Sequence, residues 1–171
     1  MVEPRILPPP PDTLRAMADH DDVVSVERVI AAPPDRIFDL LADPARHRDI
    51  DGSGTVRDAK AGSERLALGS QFGMSMKMGL PYSMLSEVIE FDENRRIAWQ
   101  TRPPVSWGAK FGGGRIWRYE LEPVDGGTLV RETWDISQEA SLSKPLVSRG
   151  GKKTAENMEK SLARIEQLVS G

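Results

Sequence analysis

Residues 145–169 read PLVSRGGKKTAENMEKSLARIEQLV, and their apolar spacing decides the fold. Val147, Ala155, Met158, Leu162, Ile165 and Val169 recur mostly at steps of three, four or their multiples, the period of one helix face. The spacing predicts an amphipathic helix from about Pro145 to Val169, roughly 37 Å long at 1.5 Å per residue. Gly150-Gly151 weakens its start and predicts a kink there.

Upstream of Ser141 the period changes to that of strands. Phe72, Met74, Met76 and Met78 share one parity between Ser70 and Met78. Gly79 and Pro81 break that run, and Tyr82 to Phe91 resumes it. Asp92-Glu-Asn94 is a turn before a strand from Arg95 to Thr101. Strands follow at Arg115–Glu122 and Thr128–Ile136, joined by a hairpin turn at Asp125-Gly-Gly127. At the front, Val23–Ile30 reads as a strand closed by Pro33-Pro34. Asp35–Leu41 carries one helical face, with Pro34 suited to its first turn. Pro44 stops or restarts that helix, and Asp51-Gly-Ser-Gly54 turns into a modest strand from Thr55 to about Ala59. The result is an α+β chain with a curved antiparallel sheet of about seven strands. Two short helices follow the first strand, and one long helix ends the chain. A curved sheet wrapped around a single helix is not filled by that helix, which predicts a cavity.

Composition narrows the function. The chain has 171 residues, 39% of them hydrophobic, enough for one core. Its net charge of −3 lacks the basic excess of a nucleic-acid binder. Without cysteine there is no disulfide, thiol nucleophile or cysteine-based zinc site. Only two histidines, His20 and His47, are present, which excludes a His-rich metal site. No run approaches the ~20 apolar residues that span a bilayer, so no stable membrane insertion is expected. The prolines at Pro4 and Pro8 to Pro11 mark residues 1–21 as a flexible tail, with a short helical turn from Asp12 to Ala18. No apolar signal segment fits there, so a cytoplasmic protein is expected. The domain proper spans 22–171.

Strand parity sends Phe72, Met74, Met76, Met78, Tyr82, Met84, Trp99, Trp117, Tyr119 and Trp134 to one sheet face. Arg118, Glu120, Glu122, Arg131 and Asp135 fall on the other, solvated face. The first set suits either a Met-rich core or the wall of an apolar pocket. Glu132 shares parity with Val130 and Trp134 and so points inward. There it is costly unless paired, and its pKa should rise. It could orient a ligand hydroxyl, act as a general acid/base, or simply pair with a buried arginine. His47, Asp49 and Asp51 share one loop; ordinary turn roles compete with metal ligation, and no metal site is assigned. The glycine-rich loop from Pro103 to Gly114, carrying Trp107 and Phe111, reads as a lid or as a cover for the core. Gly151-Lys-Lys-Thr154 lacks the spacing of a phosphate loop. Lys144, Arg149, Lys152 and Lys153 make a basic helix start that is solvated or meets an anionic group.

The segments Ala32-Pro-Pro-Asp-Arg-Ile-Phe-Asp-Leu-Leu41 and Asn157-Met-Glu-Lys-Ser-Leu-Ala-Arg-Ile-Glu166, in this element order, resemble the START-like helix-grip (SRPBCC) superfamily. The closest likeness is to its bacterial polyketide cyclase/dehydrase and lipid-transport branch. The resemblance covers about residues 22–170. It implies a ligand cavity between the sheet and the last helix, lined by the residues above together with Trp107, Phe111, Met158 and Leu162. The ligand would be a hydrophobic small molecule: a lipid, a fatty acid or a polyketide-like aromatic. An enzyme reading gives Glu132, Tyr119, Tyr82 and His47 proton-transfer roles in aldol cyclisation and dehydration, with no cofactor. A third reading is a protein-interaction module without ligand.

Overall fold

The computed structural model describes residues 17–18, 22–60, 64–78, 80–102 and 114–170, with 17–18, 57–60, 76–78 and 80–82 described as backbone only. The strands are β1 (Met17–Ala18), β2 (Val23–Ile30), β3 (Val56–Lys60), β4 (Gln71–Met78), β5 (Leu80–Asp92), β6 (Arg96–Arg102), β7 (Arg115–Val124) and β8 (Gly127–Asp135). Between β2 and β3 lie α1 (Pro34–Leu41), a 3₁₀ turn (Pro44–Arg46) and α2 (His47–Ile50). After β8 come α3 (Lys144–Ser148) and α4 (Gly151–Val169).

The strands form a single eight-stranded sheet in the order β1-β2-β8-β7-β6-β5-β4-β3. Every pairing is antiparallel. Bulges between Val56 and Asp58 and between Val88 and Glu90 add the local twist that bends the sheet. Seven strands have five residues or more, the number expected; the eighth, β1, has two. The helical turn expected over 12–18 is corrected at its end. Met17 and Ala18 are paired with Ser25 and Val24, because the free edge of β2 offers them backbone partners. The rest of the expected tail lies outside the described residues.

The terminal helix is two helices. Gly150 N–H closes a tight turn on the Val147 carbonyl at 2.9 Å, and α4 begins at the Thr154 N–H to Gly150 carbonyl bond, also 2.9 Å. The glycine pair thus breaks the helix where the sequence predicted a kink. α4 lies on β2 and β8, and its face of Met158, Leu162, Ile165 and Val169 is buried. α1 buries Ile37, Phe38, Leu40 and Leu41, with Phe38 edge-on to Phe91 at 5.3 Å. Pro34 opens α1 without loss, since its missing N–H would have had no helical partner.

The convex face is held by charge. Glu27–Arg131 (2.5 Å), Arg131–Glu120 (3.8 Å), Arg96–Glu120 (3.7 Å), Arg96–Glu90 (3.8 Å) and Arg118–Glu90 (2.6 Å) link five neighbouring strands. That network leaves the concave face to apolar side chains and α4.

Candidate functional site

Two rows of the register build the site. One runs Val88–Trp99–Trp117–Trp134–Val24 across β5, β6, β7, β8 and β2. The next runs Ile97–Tyr119–Glu132–Val26. The second row places a phenol directly beside a carboxyl on the buried face. Above these rows a cavity of about 280 Å³ remains open between the sheet, α2 with its following loop, and the first half of α4.

Glu132 is 2% exposed, and its Oε2 has no hydrogen-bond partner among the described residues. Burial pushes its carboxyl up to about 8; the Tyr119 hydroxyl, donating to it, pulls the other way, and Asp51 adds to the rise. At neutral pH the group is therefore mostly a neutral acid, which can donate as well as accept. Burial, followed by the adjoining Glu132, pushes the Tyr119 phenol well above its ordinary value. The two groups are neighbours across the β7–β8 register, and both line the cavity.

His47 is buried in α2. Its Nε2 donates to the Leu41 carbonyl at 2.9 Å, which leaves Nδ1 as the ring's acceptor. The ring stacks on Trp99 at 5.0 Å and meets the edge of Phe72 at 5.3 Å. Burial lowers its pKa, against the Leu41 bond and the charge of Asp43, so the ring is held neutral.

The loop after α2 forms the mouth. Asp51 organises it, accepting from Ser53 N–H (3.0 Å), Ser53 Oγ (2.6 Å) and Val56 N–H (2.9 Å). Gly52 N–H donates to Ser161 Oγ at 2.9 Å, which docks the loop on α4. A Cβ at Gly52 would lie 2.0 Å from the Asn157 carbonyl oxygen, so only glycine permits this approach. At the other end Arg115 Nε pairs with the fully buried Glu139 at 2.9 Å, and Ser143 Oγ donates to the same carboxylate at 2.6 Å.

Of the residues expected at the site, His47, Met74, Met84, Trp99 and Trp117 line the cavity, as do Tyr119, Glu132 and Met158. Three expected there are instead packed into the core. Phe72 is held edge-on by His47 and Trp99, Trp134 lies against Trp117 at 6.4 Å, and Leu162 is fully buried on the inner face of α4. Inward parity selected them correctly as buried, but the cavity occupies only one end of that face. The side chains of Met76, Met78 and Tyr82 lie outside what is described, as do Trp107 and Phe111 with the whole proposed lid. His47, Asp49 and Asp51 do not converge: Asp49 pairs with Arg46 at 2.8 Å, while His47 turns into the core from a helix rather than a loop. Sequence reasoning missed Asp51, Thr101, Arg115, Thr154, Asn157 and Ser161 as lining residues. The α4 residues among them sit one turn apart beside Met158, a spacing that could have signalled a polar strip facing the cavity.

A family profile described as polyketide cyclase / dehydrase and lipid transport matches residues 22–170. An uncharacterised protein of Mycobacterium tuberculosis, Rv0088, is 34% identical over 149 residues, covering 83% of this chain and 62% of its own length. The chain thus spans less than two thirds of that relative. Among solved structures, CV1439 of Chromobacterium violaceum superposes with a TM-score of 0.67 at 17% identity, over 89% of this chain and 99% of its own. Ms6760 of Mycobacterium smegmatis does so with a TM-score of 0.65 at 19% identity, over 91% and 96%. At these identities the likeness to both shows the fold alone. No helix among the described residues is long and apolar enough to cross a membrane.

Proposed function

The chain belongs to the polyketide cyclase/dehydrase and lipid-transport family, a hydrophobic-ligand-binding fold, and from that premise we propose that its cavity binds a compact apolar molecule bearing one polar group. The observation that carries this reading is Glu132, a buried carboxyl that lines an otherwise largely apolar cavity and whose Oε2 has no hydrogen-bond partner among the described residues. An orphaned buried polar atom costs about 1–3 kcal/mol. A ligand hydroxyl or carbonyl placed there would recover that cost, while Trp99, Trp117, Met74, Met84 and Met158 bury its apolar body.

Size narrows the class. At about 280 Å³ the cavity sits at the small end of the ~300–1,000 Å³ range for small-molecule sites. A compact ring system, polyketide-like in shape, fits such a space better than an extended acyl chain. The test is native mass spectrometry of the purified protein, then fluorescence titration with aromatic and fatty-acyl panels. Trp99 and Trp117 line the cavity and report occupancy. Saturable quenching by compact aromatics is expected; no response to either panel overturns the reading.

A second reading is an acid/base enzyme for aldol closure and dehydration. The adjacent Tyr119 and Glu132 support it: two ionisable groups opposite each other in the β7–β8 register, with the carboxyl pushed up to about 8 by burial. Neutral His47, also on the wall, supplies an acceptor. Turnover of a poly-β-keto substrate that Glu132→Gln abolishes while binding persists would establish it.

A further inference from the structure

The four cations grouped in sequence around the start of the last helix do not act alike. Lys144 turns inward and pairs with Asp22 at 2.6 Å. Arg149, Lys152 and Lys153 stay exposed, and neither Arg149 nor Lys152 has an ion-pair partner among the described residues. Lys153 reaches Glu156 at 3.4 Å, an exposed pair that contributes little. Beside these cations stand the two most exposed large hydrophobic side chains among the described residues, Leu142 at 72% and Leu146 at 73%.

Their spacing makes one face. Leu142, Pro145, Leu146 and Arg149 are exposed at positions i, i+3, i+4 and i+7. The turn before α3 joins it directly, with Lys144 N–H donating to the Ala140 carbonyl at 2.9 Å. Between them Ser143, Lys144 and Val147 face the molecule, on Glu139, on Asp22 and against the core. The outward face of α3 is therefore apolar at its start and cationic at its end, and exposed Lys152 and Lys153 follow directly after the glycine break.

Charge decides what covers this face. The headgroup layer of an anionic bilayer takes up shallow apolar side chains and matches the cations behind them. The chain as a whole carries −3, so attraction to such a surface has to come from a local patch. A stable protein interface uses roughly 20–30 residues per side, far more than this short face supplies. We propose that the outward face of α3, with the first turn of α4, docks the protein peripherally on an anionic bilayer. Leu142 and Leu146 enter the headgroup layer, while Arg149, Lys152 and Lys153 meet lipid phosphates. The face lies outside the cavity, so this inference and the ligand-binding reading fail separately.

Co-sedimentation of the full chain with vesicles tests it, using phosphatidylcholine alone and phosphatidylcholine with about one-third phosphatidylglycerol. At low salt the anionic vesicles are expected to bind at least tenfold more strongly than the zwitterionic ones, and the binding should weaken steeply as salt screens the cations. Leu142→Ser with Leu146→Ser should lower the partition coefficient at least tenfold, and Lys152→Glu several-fold. All three side chains are exposed, so the circular dichroism of both variants should match the wild type. Arg36→Glu, a charge reversal at an exposed position on α1, should leave binding within twofold. Absence of binding to anionic vesicles overturns the proposal. So does equal binding to both vesicle types, or binding that either the leucine variant or Lys152→Glu leaves at wild-type strength. A protein that ignores vesicles but forms a dimer broken by the leucine variant would assign the face to a second copy instead.

Discussion

Glu132 couples the site to the stability of the whole chain through a single proton. Its carboxyl sits at about 8 in the folded protein, against 4.5 ordinarily. Between those values the folded state holds a proton that the unfolded chain releases. Stability therefore falls as pH rises across that window, by at most about 1.4 kcal/mol per pH unit, and levels off above it. His47 acts with the opposite sign. Its folded pKa lies below 6.5, so the unfolded chain takes the proton first and stability falls as pH drops below that value. Tyr119 titrates only at strongly alkaline pH and leaves the window alone. Urea unfolding of the wild type from pH 6.5 to 8 should show a steady decline, and Glu132→Gln should flatten it. A variant as pH-dependent as the wild type would mean that Glu132 is already ionised in the folded protein.

Among the described elements, the loop between α2 and β3 packs against α4 beside the cavity, and Gly52 is its point of closest contact. A methyl group there would sit 2.0 Å from the Asn157 carbonyl and 2.6 Å from the Ser161 amide, so Gly52→Ala must push the loop off the helix. Overpacking of this kind costs about 1–3 kcal/mol, and the widened mouth should weaken ligand binding. Gly54, two residues on, has a φ of +69° and nothing within 4 Å. Asparagine tolerates that conformation, so Gly54→Asn should change stability and binding little. Thermal melts and titrations of the two variants separate close packing from turn chemistry; equal losses would show that the loop is only a turn. The sequence displayed Asp51-Gly-Ser-Gly54 as a turn but not this difference, because an approach between backbone segments 109 residues apart leaves no local pattern. Strands and helices were legible for the converse reason: parity and the three-to-four step are local. The helix break at Gly150 was legible too, since two adjacent glycines weaken any helix.

At the scale of the molecule, the grip of sheet on helix is packed at one end and hollow at the other. Leu162, Ile165 and Val169 fill the space over β2 and α1, whereas Thr154, Asn157, Met158 and Ser161 face the cavity. Inward parity treated Phe72, Trp134 and Leu162 alike with Trp99, Trp117 and Met158, for the pattern reports which face is buried and not how far the packing extends along it. Glu132 stood out in sequence because a carboxylate broke an apolar parity, but Tyr119 became its partner only through the β7–β8 register. The division of the interior can be tested with two truncations on one helix. Met158→Ala and Leu162→Ala should each cost about 2–5 kcal/mol, read by urea unfolding, since both remove a buried side chain. Their effects on ligand selection should differ. Met158 borders the hollow end, so its loss makes room for a larger ring system and should shift preference from naphthalene-sized to anthracene-sized compounds. Leu162 lies in the packed end, and its loss should leave that ratio unchanged. A Leu162→Ala variant that shifted the ratio as far as Met158→Ala would mean that the ligand reaches past Met158 into the packed end. The boundary drawn here through α4 would then be wrong.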